Sequence, residues 1–165
     1  MTSSNSILSS LSIRSLTIGV VTGLRSMTPF AMLALRQSQA SGNARWAQWP
    51  VLRNGIGKGV FVAAGLGELV GDKLPNTPSR LAPLPLVGRM TIGAIAGAAI
   101  GSEGKGSQPI VRGAVLGAIG GLVGSFAGYH LRHAIVEKSG LPDLVVALGE
   151  DAIAISLAAE ATMQG

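Results

Sequence analysis

The sequence predicts an all-α protein, a polytopic membrane helix bundle of five to six transmembrane or re-entrant segments, and three observations predict it. Charged residues make up 13% of the 165-residue chain, about half the share usual in soluble proteins, and mean hydropathy is +0.47. Apolar stretches of about 17 to 25 residues, the length of a membrane span, recur along the chain. Glycine contributes 24 residues and aromatics only 4%. A core assembled in water would lack the large side chains that usually dominate burial, whereas helices in lipid associate through small residues that let backbones approach.

The five long apolar stretches are residues 7–25, 57–74, 84–101, 109–135 and 142–162. The first follows no basic n-region and contains Arg14, so a retained helix is expected rather than a cleaved signal. A shorter sixth segment, TPFAMLALR at 28–36, cannot cross a bilayer alone at about 1.5 Å per residue. It either re-enters, continues the first helix past a break at Pro29, or forms a short span with the residues after Arg36. Residues 37–56 carry Trp46 and Trp49 with Arg45 and Arg53, a composition suited to the headgroup belt. Residues 75–84 hold three prolines and cannot be helical throughout. SEGKGSQ at 102–108 reads as a flexible turn, and Pro142 sits at the start of the last segment, a favoured first-turn position. Basic residues occur in nearly every connection, so no orientation follows from charge.

Within the stretches the glycines fall four apart: Gly19 and Gly23; Gly67 and Gly71; Gly93, Gly97 and Gly101; and, in the fourth stretch, Gly113, Gly117 and Gly121 beside Gly120, Gly124 and Gly128. Residues four apart share a helical face. Such faces are smooth grooves, and glycine-zipper packing between helices and between copies of the chain is expected. Two echoes point to a duplication within the single domain of residues 1–165. TIGVVTG (17–23) matches TIGAIAG (91–97), and LGE at 66–68 matches LGE at 148–150, giving halves of 7–80 and 84–162. With three membrane elements per half the repeat is inverted, as in transporter-like folds. With five spans it is not.

Glu68 lies about ten residues into its stretch, or about 15 Å along a helix axis, and Asp72 shares its face. A carboxylate at that depth is costly, about 2.5 to 3.5 kcal/mol on insertion scales, and should face protein or water. Glu150, followed by Asp151, lies equally deep in VVALGEDAIAISLAA. Arg14, Arg25 and Arg89 are the candidate partners. Two such carboxylates could share a proton, hold a cation or pair with arginine. Asp72, Lys73 and Arg80 read equally well as a helix end at the headgroups. GLRSMTPF (23–30) is either a plain interfacial helix end or a broken helix that exposes amide dipoles to a ligand. His130 and His133 share one side of a helix, yet no Cys or nearby carboxylate completes a metal site. The net charge of +5 is dispersed, without the basic stripe and interleaved aromatics of a nucleic-acid binder.

GLRSMTPFAML, GELVGDKLPNTPSR, GRMTIGAIAGAAIG and the glycine-rich closing helix together resemble a family of small bacterial integral membrane proteins known as a domain of unknown function, over roughly residues 15–160. The resemblance implies a multi-pass inner-membrane protein and supplies no activity or site residue. The residues themselves point to a transporter or channel in which Glu68, Asp72 and Glu150 bind protons, cations or a small solute, with Arg25 and Arg89 pairing with them or attracting an anion. The alternative is a non-transporting scaffold or lipid-interacting protein whose buried charges are structural. No nucleophile or metal site can be assembled from Ser26, Thr28 and the two histidines, so neither enzymatic activity nor a cofactor is expected.

Overall fold

Pro29 sets the first departure from a continuous helix. A proline has no N–H, and its ring clashes with the carbonyl four residues back, here that of Arg25. The computed structural model, which describes residues 2–40, 44–71 and 81–163, accordingly ends helix α1 (Thr2–Leu24) one residue before Arg25 and starts α2 (Thr28–Arg36) with Pro29 in its first turn. The Arg25 amide closes α1 on the Val21 carbonyl at 2.7 Å, and the Ala31 amide opens α2 on Met27 at 3.0 Å. Three residues, Arg25 to Met27, form the break.

Two 3₁₀ turns, Gln37–Gln39 and Arg45–Gln48, and the short α3 (Pro50–Arg53) lead to α4 (Gly55–Gly71). Then come α5 (Pro83–Gly101), α6 (Gln108–Ser139) and α7 (Asp143–Thr162). Helix α6 is closed by Gly140, whose φ of 66° places it in the left-handed region and whose amide bonds to Val136, an arrangement that glycine adopts without a Cβ penalty. Pro142 stands just ahead of α7 as its N-cap.

The core is α1, α5 and α6. Helix α5 runs antiparallel to α6, pairing Gly93 with Gly117 and Gly97 with Gly113. Helix α1 runs parallel to α6, pairing Gly19 with Gly117 and Gly23 with Gly121 and Gly124. At these positions helix meets helix backbone to backbone. A Cβ on Gly93 would stand 2.5 Å from the Gly117 carbonyl oxygen, and one on Gly121 2.9 Å from that of Arg89, distances that real Cβ atoms do not reach. Gly128 is buried on the same helix. A Cβ at Gly67 or Gly71 would meet no described atom within 4 Å, and the glycines of α4 that meet neighbours are Gly57, against Val51, and Gly65, against Ala31. Spacing of four marks a face, and α4 turns a different face to α2.

Of the five long stretches read from the sequence, that of 57–74 ends outside the described residues. Among the described residues, three helices are long and apolar enough to cross a membrane, Ser6–Leu24, Pro83–Gly101 and Gln108–Ser139. Helix α2 has nine residues and α4 has 17, while α7 carries Asp143, Glu150, Asp151 and Glu160 along its length. Outward-facing Val111, Val115, Ile119 and Val123 form a continuous stripe on α6, and Leu84, Val87 and Ile95 extend the apolar exterior on α5. An apolar surface of that continuity marks contact with lipid or protein.

Trp46, expected at the headgroups, is fully buried together with Leu52, so residues 44–53 pack onto the bundle. The turn after α5 is likewise held in place, because Glu103 reaches both Trp46 and α1. Helices α1 and α5 also exchange side-chain bonds in a reciprocal way. Ser15 Oγ donates to the Gly97 carbonyl at 3.1 Å and Arg89 Nη1 to the Gly23 carbonyl at 2.7 Å. Aligning TIGVVTG with TIGAIAG pairs Ser15 with Arg89 and Gly23 with Gly97, so the two bonds change places under that alignment.

Candidate functional site, a helix break held by charged side chains

A break inside a helical run leaves carbonyls at one end and amides at the other without partners in their own helix. In the protein interior those groups must be met by other atoms, and three elements converge to do so. From α5, Arg89 bonds to the Gly23 carbonyl. From α6, Ser125 Oγ stands 3.5 Å from the same oxygen and donates to Gly121 at 2.8 Å. From α4, the two oxygens of Glu68 accept separately from the amides of Ser26, at 2.6 Å, and Met27, at 2.7 Å. A carboxylate accepting two amides at a helix start is favoured by both charge-assisted bonding and the helix dipole. Arg89 Nη2 lies 3.8 Å from Glu68 Oε1, so the α5 arginine serves both sides of the break.

Arg25 lies within the break, its side chain 0% exposed. Its Nε donates to Asp151 Oδ1 at 2.5 Å and its Nη1 to the Leu24 carbonyl at 3.2 Å. Its Nη2 lies 2.5 Å from Asp151 Oδ1 and 3.7 Å from Glu150 Oε2. Glu150 continues to Arg132 of α6, with Nη1 at 3.6 Å. Arg132 in turn takes Asp143 at 2.8 and 2.5 Å across the α6–α7 hairpin. The charges thus form a relay from Asp143 through Arg132 and Glu150 to Arg25 and Asp151. Asp143 is exposed at the outer end, whereas the enclosed Arg25, Glu150 and Asp151 are tolerable only with close pairing, because each isolated buried charge costs several kcal/mol to desolvate.

Glu68 and Glu150 therefore flank the same break from α4 and α7, facing different arginines. Asp72 lies outside the described residues, as do Lys73 and Arg80. The Tyr129 ring meets His130 edge to face and His133 at a tilt, and His133 Nδ1 lies 3.0 Å from the Tyr129 carbonyl. Sequence reasoning offers Arg14, Arg25 and Arg89 as partners for the deep carboxylates, yet Arg14 meets Glu103 and the shortest contacts of Arg25 are to Asp151. Adjacent residues on a helix point in different directions, and only the crossing of α7 over α1 selects between them. The same dependence on helix crossing hides the roles of Arg132 and Ser125 from the sequence.

A second polar cluster lies about 16 Å along α1 from the break, at 1.5 Å per residue. Arg14 donates to both oxygens of Glu103, at 2.6 and 3.2 Å, and to the Ala161 carbonyl at 2.9 Å. The Trp46 indole donates to Glu103 Oε1 at 2.9 Å. Glu103 thus fastens residues 44–53 to α1 and to the α5–α6 turn. Removing one partner leaves a buried donor unmet, at about 1 to 3 kcal/mol and more for a charge. Glu103→Ala is expected to speed tryptic cleavage after Arg45 and Arg53 at least about tenfold, in line with that loss. Unchanged cleavage would show that Trp46 holds without Glu103. Beside Arg14, an open groove of about 590 Å³ runs between α1 and the end of α7, lined by Ser6, Ser9, Ser10, Thr17 and Glu160 among others.

The fold and this arrangement define a class: a protein that is, among the described residues, helical throughout its regular structure, with three helices of membrane length and a polar helix break enclosed by arginines and carboxylates. Residues 13–163 match the family model described as a domain of unknown function (DUF4126), and the chain belongs to that family. The family membership implied by GLRSMTPFAML and GELVGDKLPNTPSR is thereby shown. Neither a curated protein nor a solved structure matches the chain.

Proposed function

We propose that the chain is a small multi-pass inner-membrane transporter or channel in which Glu68 takes up and releases a proton at the helix break, with Glu150 as the second acidic position. One observation carries this reading: Glu68 holds two backbone amides of the break, at 2.6 and 2.7 Å. Backbone without helical bonds is tolerated at membrane depth only where protein or water satisfies it. A proton on Glu68 removes the charge that the amides and Arg89 face, and so changes what the break needs. Helix α4, which carries Glu68, packs on α2 and α3. It can lift from the break while α1, α5 and α6 remain packed. Arg25 and Arg89 supply positive charge toward an anionic solute.

In proteoliposomes under an imposed potential, proton flux read with an entrapped pH dye is expected to exceed that of empty vesicles. With Glu68→Gln it is expected to fall to the empty-vesicle level while expression and particle size stay unchanged. Wild-type flux in the variant, or wild-type vesicles no leakier than empty ones, would sink the reading. The second reading is a non-transporting scaffold. It is favoured by one observation, that Arg25, Arg89 and Arg132 each already face a carboxylate or carbonyl oxygen. On that reading Glu68→Gln loses folded protein, and no flux is seen in any variant.

A further inference from the structure

Along the sequence the basic residues are scattered through nearly every connection, yet the fold gathers them at one end. Glu103 binds both Arg14 and the Trp46 indole, which brings residues 44–53 and the turn after α5 to the N-terminal half of α1. The first turns of α6 lie there too, since Pro109 and Arg112 share a small cleft with Leu8 and Ser12 of α1. So does the end of α7, whose Ala161 carbonyl accepts from Arg14. Arg45, Arg53, Lys105 and Arg112 are exposed at this end, and among the described residues Glu160 is the one exposed carboxylate beside them. The opposite end, beyond the helix break, is close to balanced. There Arg132 is taken by Asp143, and the exposed Lys138 follows the exposed Glu137. Residues 72–80, which connect α4 to α5 outside the described residues, carry Asp72, Lys73 and Arg80.

The surface of the basic end also has the makeup of an interfacial segment. Trp46 and Leu52 are wholly buried, while Arg45 and Arg53 are exposed, with Val51 exposed and Trp49 half-buried between them. Cationic side chains interleaved with an aromatic and an aliphatic one suit the headgroup layer. The cytoplasmic leaflet is the anionic one and holds basic side chains at its surface. We propose that this end docks on anionic lipid headgroups of the cytoplasmic leaflet, with Arg45 and Arg53 flanking Trp49 at the centre of the contact. The start of α1 and the end of α7 then lie on the cytoplasmic side, and the helix break lies toward the opposite face. A transporter and a scaffold would share this orientation.

The chain contains no cysteine, so single cysteines report cleanly on orientation. Ser107 precedes α6 at the basic end and Ser139 closes α6 at the other, and both are exposed. In spheroplasts of a bacterial host, a membrane-impermeant maleimide is expected to label Ser139→Cys and to reach Ser107→Cys only after lysis. Labelling in the reverse order, or of both positions in intact spheroplasts, would overturn the proposal. Trp49 reads the lipid contact itself, because Trp46 is enclosed and the chain has no third tryptophan. In phosphatidylcholine vesicles, a minor fraction of brominated phosphatidylglycerol is expected to quench Trp49 at least about twofold more than the same fraction of brominated phosphatidylcholine, an enrichment set by the charge of the two arginines. High salt should remove the difference by screening, as should Arg45→Gln combined with Arg53→Gln. Equal quenching by the two lipids in the wild-type protein, or an excess that salt and the double variant both leave in place, would overturn the proposal as well. Neither readout depends on proton flux, so failure here is distinct from failure of the transport reading.

Discussion

Arg25→Gln is expected to destabilise the folded protein by about 3 to 5 kcal/mol, the range for removing one partner of a buried ion pair. The guanidinium is wholly enclosed, and it is the cation nearest Asp151 as well as a neighbour of Glu150. Without it, Asp151 stays buried with its charge opposed by less. The break also loses the bond from Arg25 to the Leu24 carbonyl. Melting in detergent micelles, or unfolding by titration with a denaturing detergent, measures the effect. Adding Asp151→Asn should recover part of the loss, because two neutral amides can bond to each other at that separation. The double-mutant cycle should then give a coupling of about 0.5 to 3 kcal/mol. An Arg25→Gln protein that melts like wild type would mean that the Asp151 charge is neutralised by something other than Arg25.

Gly117→Val is expected to cost about 3 kcal/mol or more, above the usual range for overfilling a core. A Cβ there would overlap the Gly93 carbonyl oxygen and stand 3.0 Å from the Gly97 Cα. These are backbone atoms, so no rotamer change relieves the contact, and α5 must move away from α6 as a body. The contrast is Gly149→Ala on α7, where nothing lies within 4 Å of the new Cβ. There the gain in helix propensity should stabilise by up to about 1 kcal/mol. Melting midpoints and size-exclusion profiles of the two variants decide the matter. Equal behaviour would mean that α1, α5 and α6 do not meet at glycine.

The parts of this molecule that are legible in the sequence are those that local chemistry determines. Pro29 and Arg36 bound α2, and the glycine spacing on α1, α5 and α6 marks the faces that meet. The expense of a buried carboxylate singles out Glu68 and the arginines near it. What stays hidden depends on how helices cross. The spacing of Gly67 and Gly71 reads as an interface, but α4 presents Gly65 and Phe61 to α2 instead. Trp46 looks like a headgroup anchor because tryptophan often is one. Its burial depends on Glu103, almost sixty positions later in the chain, and SEGKGSQ carries no local sign of that contact. Apolar runs are counted from composition, while among the described residues three helices are long and apolar enough to cross a membrane and α7 carries four acidic residues along its length.

The layer where α1, α5 and α6 meet has no side chains of its own at Gly19, Gly93 and Gly117. Such a surface loses no rotamer entropy on assembly, and it has no knobs to index one helix against the next. Register along the axis must therefore come from elsewhere. Ser15 on the Gly97 carbonyl and Arg89 on the Gly23 carbonyl are two stops on either side of a smooth bearing. A helix slipping by one turn would have to give up both at once.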